Sequence, residues 1–215
     1  MTIDLYHMEL SAPCRSIRMV AATIGVELNL KTTDLMAGEH LTPEYLKINP
    51  QHTIPAIVDG DFKLAESRAI CTYLINKYAP GHALYPTCPQ KRAVVDRFLY
   101  FDIGTLYKAI GEYFYPKLIH GKEYDTEKEQ KLKEVLGFLE TFIGDHDFIT
   151  GKEPSVADLC IGSSLTMLEV TSYGFPGFPK AEAYYNRVKQ LPHWDECHAK
   201  GIEGFKQFLA SKTAA

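Results

Sequence analysis

Residues 3–32 read IDLYHMELSAPCRSIRMVAATIGVELNLKT, and this stretch decides the fold. Ile3 to Tyr6 is a short β-prone run. After Pro13 the apolar residues Ile17, Val20, Ala21 and Ile24 recur at i, i+3, i+4 and i+7, one face of a helix. Gly25 suits the C-terminal cap of that helix. Leu28 to Thr32 alternates again and reads as the next strand. A strand, a helix and a strand in such close succession predict a right-handed βαβ unit with parallel strands.

Outward from that unit, Ala56-Ile57-Val58 and Phe62-Lys63-Leu64 flank Asp59-Gly60-Asp61, and an Asp-Gly pair between apolar runs is a strong hairpin signal. Those strands are expected to be antiparallel. Pro55 cannot donate a ladder hydrogen bond, so it marks a strand end or an edge. A helix from about Glu66 carries Ile70, Tyr73, Leu74 and Tyr78 on one side. The first unit is therefore βαβ followed by ββα. Residues 79–89, APGHALYPTCP, hold three prolines and a glycine without periodicity and read as a linker. Beyond it only helical stripes appear: Ile103, Leu106, Tyr107, Ile110, Tyr113 and Phe114, then Leu132, Val135, Leu136, Leu139, Phe142 and Ile143. Ser155-Val156-Ala157-Asp158 has the form of a helix N-cap with an acidic residue three positions on. The expected organisation is an α+β domain over residues 1–80, a linker over 81–89 and an all-α domain over 90–215.

The 215 residues are 46% apolar and 23% charged, a globular mixture with enough apolar side chain for a sizeable core. A formal net charge of -4 predicts no general attraction to nucleic acid or anionic lipid. No run approaches the ~18 apolar residues of a membrane span. The first residues have no basic start ahead of an apolar run, so no secretory signal is expected. Five scattered cysteines, at 14, 71, 88, 160 and 197, fit free thiols in a reducing compartment better than a disulfide framework, and the cytoplasm is the expected location.

Chemistry concentrates in three places. Ser11-Ala12-Pro13-Cys14 falls between the first strand and the first helix, at the carboxyl end of a parallel strand, where open α/β sheets bind ligands. It has the spacing of a Cys-x-x-Cys redox site with Ser first, so it cannot close an internal disulfide. A hydroxyl beside a helix N-terminus can instead stabilise a thiolate brought by a ligand, or it can simply cap the helix. Cys14 shares the spacing of Ile17 and reads first as a small buried apolar residue. The second place is Asn49-Pro50-Gln51-His52-Thr53-Ile54-Pro55, where the residue before proline is held extended and keeps its backbone available to a strand-like peptide. Third, Glu66-Ser67-Arg68 opens a helix with amides, a hydroxyl and a guanidinium, a carboxylate site beside a carboxylate that could take an amine; an ordinary polar first turn is the alternative. His40 and His52 sit in loops flanking this groove. No histidine or cysteine pair has metal-ligand spacing, so no metal is expected.

SAPCR at 11–15, NPQHTIPA at 49–56, the hairpin leading into ESRAI at 66–70 and SVAD at 155–158 together resemble the cytosolic glutathione transferases along the whole chain. GEHLTPEYLKINPQHTIP and LYKAIGEYFYP resemble the insect delta and epsilon classes, and ESRAI leans toward delta. The resemblance implies a thioredoxin-like first domain and an all-helical second one. It implies a homodimeric enzyme that conjugates reduced glutathione, a co-substrate rather than a cofactor, to hydrophobic electrophiles. By the same resemblance Ser11 is the catalytic residue, His40 and His52 hold the glycine carboxylate, and Ile54, just before a cis Pro55, pairs with the cysteine backbone, Thr53 and Pro55 also belonging to the glutathione site. Glu66, Ser67 and Arg68 take the γ-glutamyl end, with Asp102 helping from the neighbouring subunit. Leu35, Tyr107, Ile110, Tyr115 and Ile119, with Phe205 and Phe208, form the apolar wall for the second substrate. Two other activities compete: a glutathione-dependent thiol reductase using Cys14, and a non-catalytic ligand-binding relative.

Overall fold

The computed structural model describes residues 2–213. Its first part is a four-stranded mixed sheet of β1 (Ile3–His7), β2 (Leu28–Thr32), β3 (Ala56–Asp59) and β4 (Phe62–Ala65), in the order β2-β1-β3-β4. β1 runs parallel to β2 and antiparallel to β3, and the Asp59–Phe62 turn closes the predicted hairpin. Period-two alternation buries Ile3 and Leu5, which join Ile57 in a core with Ile17 and Val20 of α1 (Ala12–Thr23) and Ile70 and Leu74 of α3 (Ser67–Tyr78). Gly25, at φ +72, stops α1: its N–H bonds the Ala22 carbonyl at 3.1 Å while the Val26 N–H bonds that of Ala21 at 2.8 Å. This is a Schellman closure, and a residue with a Cβ would resist the left-handed backbone it needs.

The structure sharpens the reading at three points. Pro55 stands just before β3, which is a central strand, so it marks a strand end and not a sheet edge. The loop from 33 to 55 contains a 3-10 turn (Glu39–Leu41) and a four-residue helix α2 (Pro43–Leu46), capped by Thr42 Oγ1 accepting from the Tyr45 N–H. Tyr73 and Tyr78 turn away from the core toward the hairpin. Their hydroxyls donate to Asp59 Oδ2 at 2.7 and 2.6 Å, and Lys77 Nζ donates to the same oxygen at 2.6 Å.

The second part is helical: α4 (Pro89–Phe101), α5 (Tyr107–His120), α6 (Thr126–Ile143), α7 (Val156–Val170), α8 (Pro179–Val188) and α9 (Trp194–Thr213). The stripe read from Ile103 to Phe114 is not one regular helix. A π turn over Asp102–Leu106 joins α4 to α5, and such turns recur at functional sites. The Ser155–Asp158 box opens α7 as predicted: Asp158 Oδ2 accepts from the Ser155 N–H and Oγ, both at 2.7 Å, and Oδ1 accepts from the Ile149 N–H at 2.8 Å and Tyr184 Oη at 2.9 Å. Every residue of α7 except Glu169 is buried, so the helix needs neighbours on all sides. One of them is α1 from the sheet domain. Residues 79–88 run between α3 and α4 and are docked, with Leu84 and Tyr85 buried and the Leu84 carbonyl accepting from the Val156 N–H at 2.9 Å.

Burial alone would raise the Asp59 carboxyl, but hydrogen bonds from Lys77, Tyr78 and Tyr73 bring it down to about 2. A folded-state value below the ordinary ~3.9 means that its contribution to stability is present above that pH and is lost as pH falls through the folded value. Urea unfolding should find Asp59→Asn less stable than wild type in mildly acidic buffer, with the gap closing as the pH is taken down through about 2. A gap that stays constant across that range would show the carboxylate to be unperturbed.

Candidate active site

Strand register places the predicted groups at one end of the sheet. His7, the last residue of β1, pairs with Thr32, so the Ser11 turn and the loop carrying Leu35, His40 and His52 leave the sheet side by side. Tyr6 pairs with Ala56, and Ala56 with Ala65, so Ile54-Pro55 enters and Glu66 leaves at that same end. Ser11, the two histidines, the Thr53–Pro55 segment and Glu66–Arg68 thus share one rim. The His40 and His52 rings stand 6.3 Å apart between centroids.

Ser11 is the N-cap residue of α1, with extended φ and ψ of -76° and 113°, yet its side chain makes no capping hydrogen bond. The alternative role, helix capping, is therefore not the one its hydroxyl performs. Its backbone carbonyl instead accepts from the Cys14 and Arg15 N–H groups at 3.1 Å.

The Thr53 carbonyl is fixed by Tyr45 Oη at 2.5 Å and Asn49 Nδ2 at 2.8 Å, and Ile54-Pro55 is cis. Among the described residues four non-glycine ones have positive φ, and two of them, His52 at 48° and Glu66 at 70°, lie on this rim. Such backbones cost about 1–3 kcal/mol each and persist where the surroundings dictate them, commonly at ligand sites.

Arg68 is nearly buried, and its guanidinium is already occupied. Nε donates to Asp102 Oδ2 at 2.8 Å, Nη2 bonds the same oxygen closely, Nη1 donates to Ser67 Oγ at 2.7 Å and Nη2 to Ser164 Oγ at 3.2 Å. Burial opposes the Arg68 charge, but Asp102 outweighs it and raises the pKa. Asp102 is fully buried at the start of the π turn and bonds Arg68 of its own chain, which in turn donates to Ser67.

Of the expected apolar wall, Tyr107, Tyr115 and Phe205 line a narrow recess of about 10 Å³, together with Leu10, Ala12, Arg15, Ser164, Thr166, Met167 and Val170. The two tyrosine hydroxyls lie 2.8 Å apart, and burial raises both phenols, so both stay protonated. Ile110 is fully buried in the core and does not line this recess. Five positions before Tyr115 on a helix of 3.6 residues per turn, it points roughly 140° away. Ile119 keeps the right face but lies one turn further out and is 49% exposed. Leu35 and Phe208 are half-buried and outside the recess, although the Phe208 ring meets Phe205 at 6.0 Å. The residue that sequence reasoning left without a role is Arg15, although it closes the SAPCR motif; the α7 residues of the recess carried no signal beyond apolar composition.

Residues 5–82 match the family described as Glutathione S-transferase, N-terminal domain, and residues 101–192 match Glutathione S-transferase, C-terminal domain. Among solved structures, the chain is similar to a delta-class glutathione transferase of Nilaparvata lugens, at 42% identity and a TM-score of 0.93, over 97% of this chain and 99% of that one. A Bombyx mori glutathione transferase matches at 41% identity and a TM-score of 0.93, over 97% and 98% of the two chains. An epsilon-class glutathione S-transferase from the housefly, Musca domestica, matches at 30% identity and a TM-score of 0.91, over 98% of each.

Cys14 lies fully buried on the inner face of α1, and burial pushes its thiol up to about 11. Cys88 is exposed at the start of α4, where the Lys91 and Gln90 N–H groups lower its pKa. Since the thiolate is the reactive form, iodoacetamide at neutral pH should label Cys88 in the native protein and spare Cys14. Peptide mass spectrometry checks this, and early labelling of Cys14 would restore it as a nucleophile.

Proposed function

This chain belongs to the glutathione S-transferase family, and from that premise we propose that it activates reduced glutathione with the Ser11 hydroxyl and transfers its sulfur to hydrophobic electrophiles. The observation that carries this reading is a side-chain alcohol at the N-terminus of α1 that does not cap the helix. A free thiol, with a pKa near ~8.5, is only a few per cent ionised at neutral pH. Lowering that value by about two units takes ~2.7 kcal/mol of preferential thiolate stabilisation. A hydrogen bond to a charged acceptor supplies ~1.5–3 kcal/mol, and the N-terminal dipole of α1 adds ~0.3–1. The thiol proton leaves to solvent. The sulfur lone pair then forms a carbon–sulfur bond at the electrophilic carbon, whose leaving group departs with its electron pair.

The tripeptide lies along the rim with its cysteine backbone on Ile54, its glycine carboxylate between His40 and His52, and its γ-glutamyl end at Glu66 and Ser67. Arg68, held by Asp102, orients Ser67 from behind. The electrophile sits against Tyr107 and Tyr115. We read the chain as delta-like, since its identity is higher with the delta-class relative than with the epsilon-class one, 42% against 30%. A homodimer is the expected assembly, and a reducing, cytoplasmic location fits five free cysteines of which four are buried. The thiol-reductase reading needs a reactive Cys14, and the burial of that thiol speaks against it.

Ser11→Ala should lower kcat/KM for the conjugation of a chlorinated dinitrobenzene by about 10- to 100-fold, the equivalent of one charge-assisted hydrogen bond, while glutathione affinity changes little. Calorimetry with steady-state kinetics measures both. Full activity in the variant would remove Ser11 from the mechanism.

A further inference from the structure

Arg15 is 3% exposed and carries a cation that, among the described residues, no carboxylate neutralises. Nη1 donates to the Glu9 carbonyl at 3.1 Å and the Leu10 carbonyl at 2.8 Å, Nη2 donates to Thr166 Oγ1 at 2.7 Å, and Nε has no partner. The carboxylate of Glu9 is turned outward, held by Arg18 at 2.6 Å and Lys200 at 3.7 Å. The titratable groups that face Arg15 are Cys14 on its own helix, Tyr107 and Tyr115 on α5, Tyr185 on α8 and His198 on α9. All are neutral near pH 7: burial raises the thiol and the phenols, and burial with Arg15 lowers His198 to about 3. A buried arginine costs several kcal/mol unless its donors are satisfied, so a site that keeps one without a counter-ion makes some use of the fork or the charge.

Both carbonyls that the fork grips belong to the two residues immediately before Ser11. Thr166, the third partner, lies on α7, so the grip spans the two domains. α9 closes the turn from the other side. A Cβ on Gly201 would come within 2.3 Å of the Glu9 carbonyl and 2.9 Å of Arg15, and one on Gly204 within 3.1 Å of Leu10.

We propose that Arg15 is a positioning residue for thiol activation: its guanidinium clamps the Glu9–Leu10 backbone to Thr166 of α7, aims the Ser11 hydroxyl, and places an uncompensated positive charge behind the thiolate. This rests on the reading of Ser11 given above and extends it to the helical domain, which thereby holds part of the activating machinery as well as part of the recess. Arg15 need not touch either substrate.

The test is the ionisation of glutathione bound to the purified enzyme, followed by thiolate ultraviolet absorbance against pH in wild type, Ser11→Ala, Arg15→Met, Arg15→Lys and Thr166→Val, with kcat and KM alongside. Arg15→Met should raise the midpoint by about one unit, a tenfold fall in thiolate below it, and lower kcat with little change in the KM for glutathione. Arg15→Lys, which keeps the charge and loses the fork, should recover only part of the shift. Thr166→Val, nearly isosteric, should move the midpoint the same way by a smaller amount, and it decides the matter alone if Arg15→Met does not fold. An unchanged midpoint in Thr166→Val and in any folded Arg15→Met, with a raised one in Ser11→Ala, overturns the role of Arg15 and leaves Ser11 standing. Full recovery by Arg15→Lys overturns the clamp. An unchanged midpoint in Ser11→Ala takes down the serine mechanism and this extension together.

Discussion

A helix with almost no wet face organises this molecule. α7 buries every residue from Val156 to Val170 except Glu169, and such a helix is stable only when it is enclosed. Gly162 lets α8 and α9 come close, since a Cβ there would meet Val188 at 2.5 Å and Trp194 at 3.2 Å. What the helical domain leaves uncovered, α1 of the sheet domain covers. The two domains therefore share one apolar interface, and the polar residues of α7 that face it, Ser164 and Thr166, reach Arg68 and Arg15 across it. Hydrophobic enclosure brings the halves of the site together, and the hydrogen bonds then set their register.

The two buried arginines do different electrostatic work. Arg68 is balanced by Asp102, so the pair is neutral and its value lies in geometry, with Ser67 held at the mouth of α3. Breaking such a pair strands a charge, so the bridge ties α3 of the sheet domain to the π turn of the helical one. Arg15 has only carbonyl and hydroxyl partners, so its charge is available to its surroundings. A low-dielectric interior screens that charge less than bulk water would.

The sheet domain was readable because its signals are local. Asp59-Gly60 specifies a hairpin, period-two and period-3.6 patterns separate strand from helix, and Gly25 and the Ser155–Asp158 box mark helix ends that the structure reproduces. The rim of Ser11, His52, Ile54 and Glu66 was readable as motifs, and strand register brings them to one end of the sheet. Three things were not readable. A π turn differs from an α turn by one hydrogen-bond step and leaves no mark in composition, so Asp102–Leu106 read as ordinary helix. Ile110 shares a broad apolar stripe with Tyr107, and a stripe does not say which part of it meets a cavity and which part the core. Thr166 lies 151 residues from Arg15 and Asp102 34 residues from Arg68, separations at which periodicity says nothing.

The missing side chain at Gly201 has a mechanical consequence. With a gap too small for even a methyl group between α9 and the Glu9 carbonyl, the last helix seats directly on the turn before Ser11. Phe205, one helical turn further along α9, lines the recess. A change in the tilt of α9 would therefore bear at once on the recess and on the backbone just ahead of Ser11.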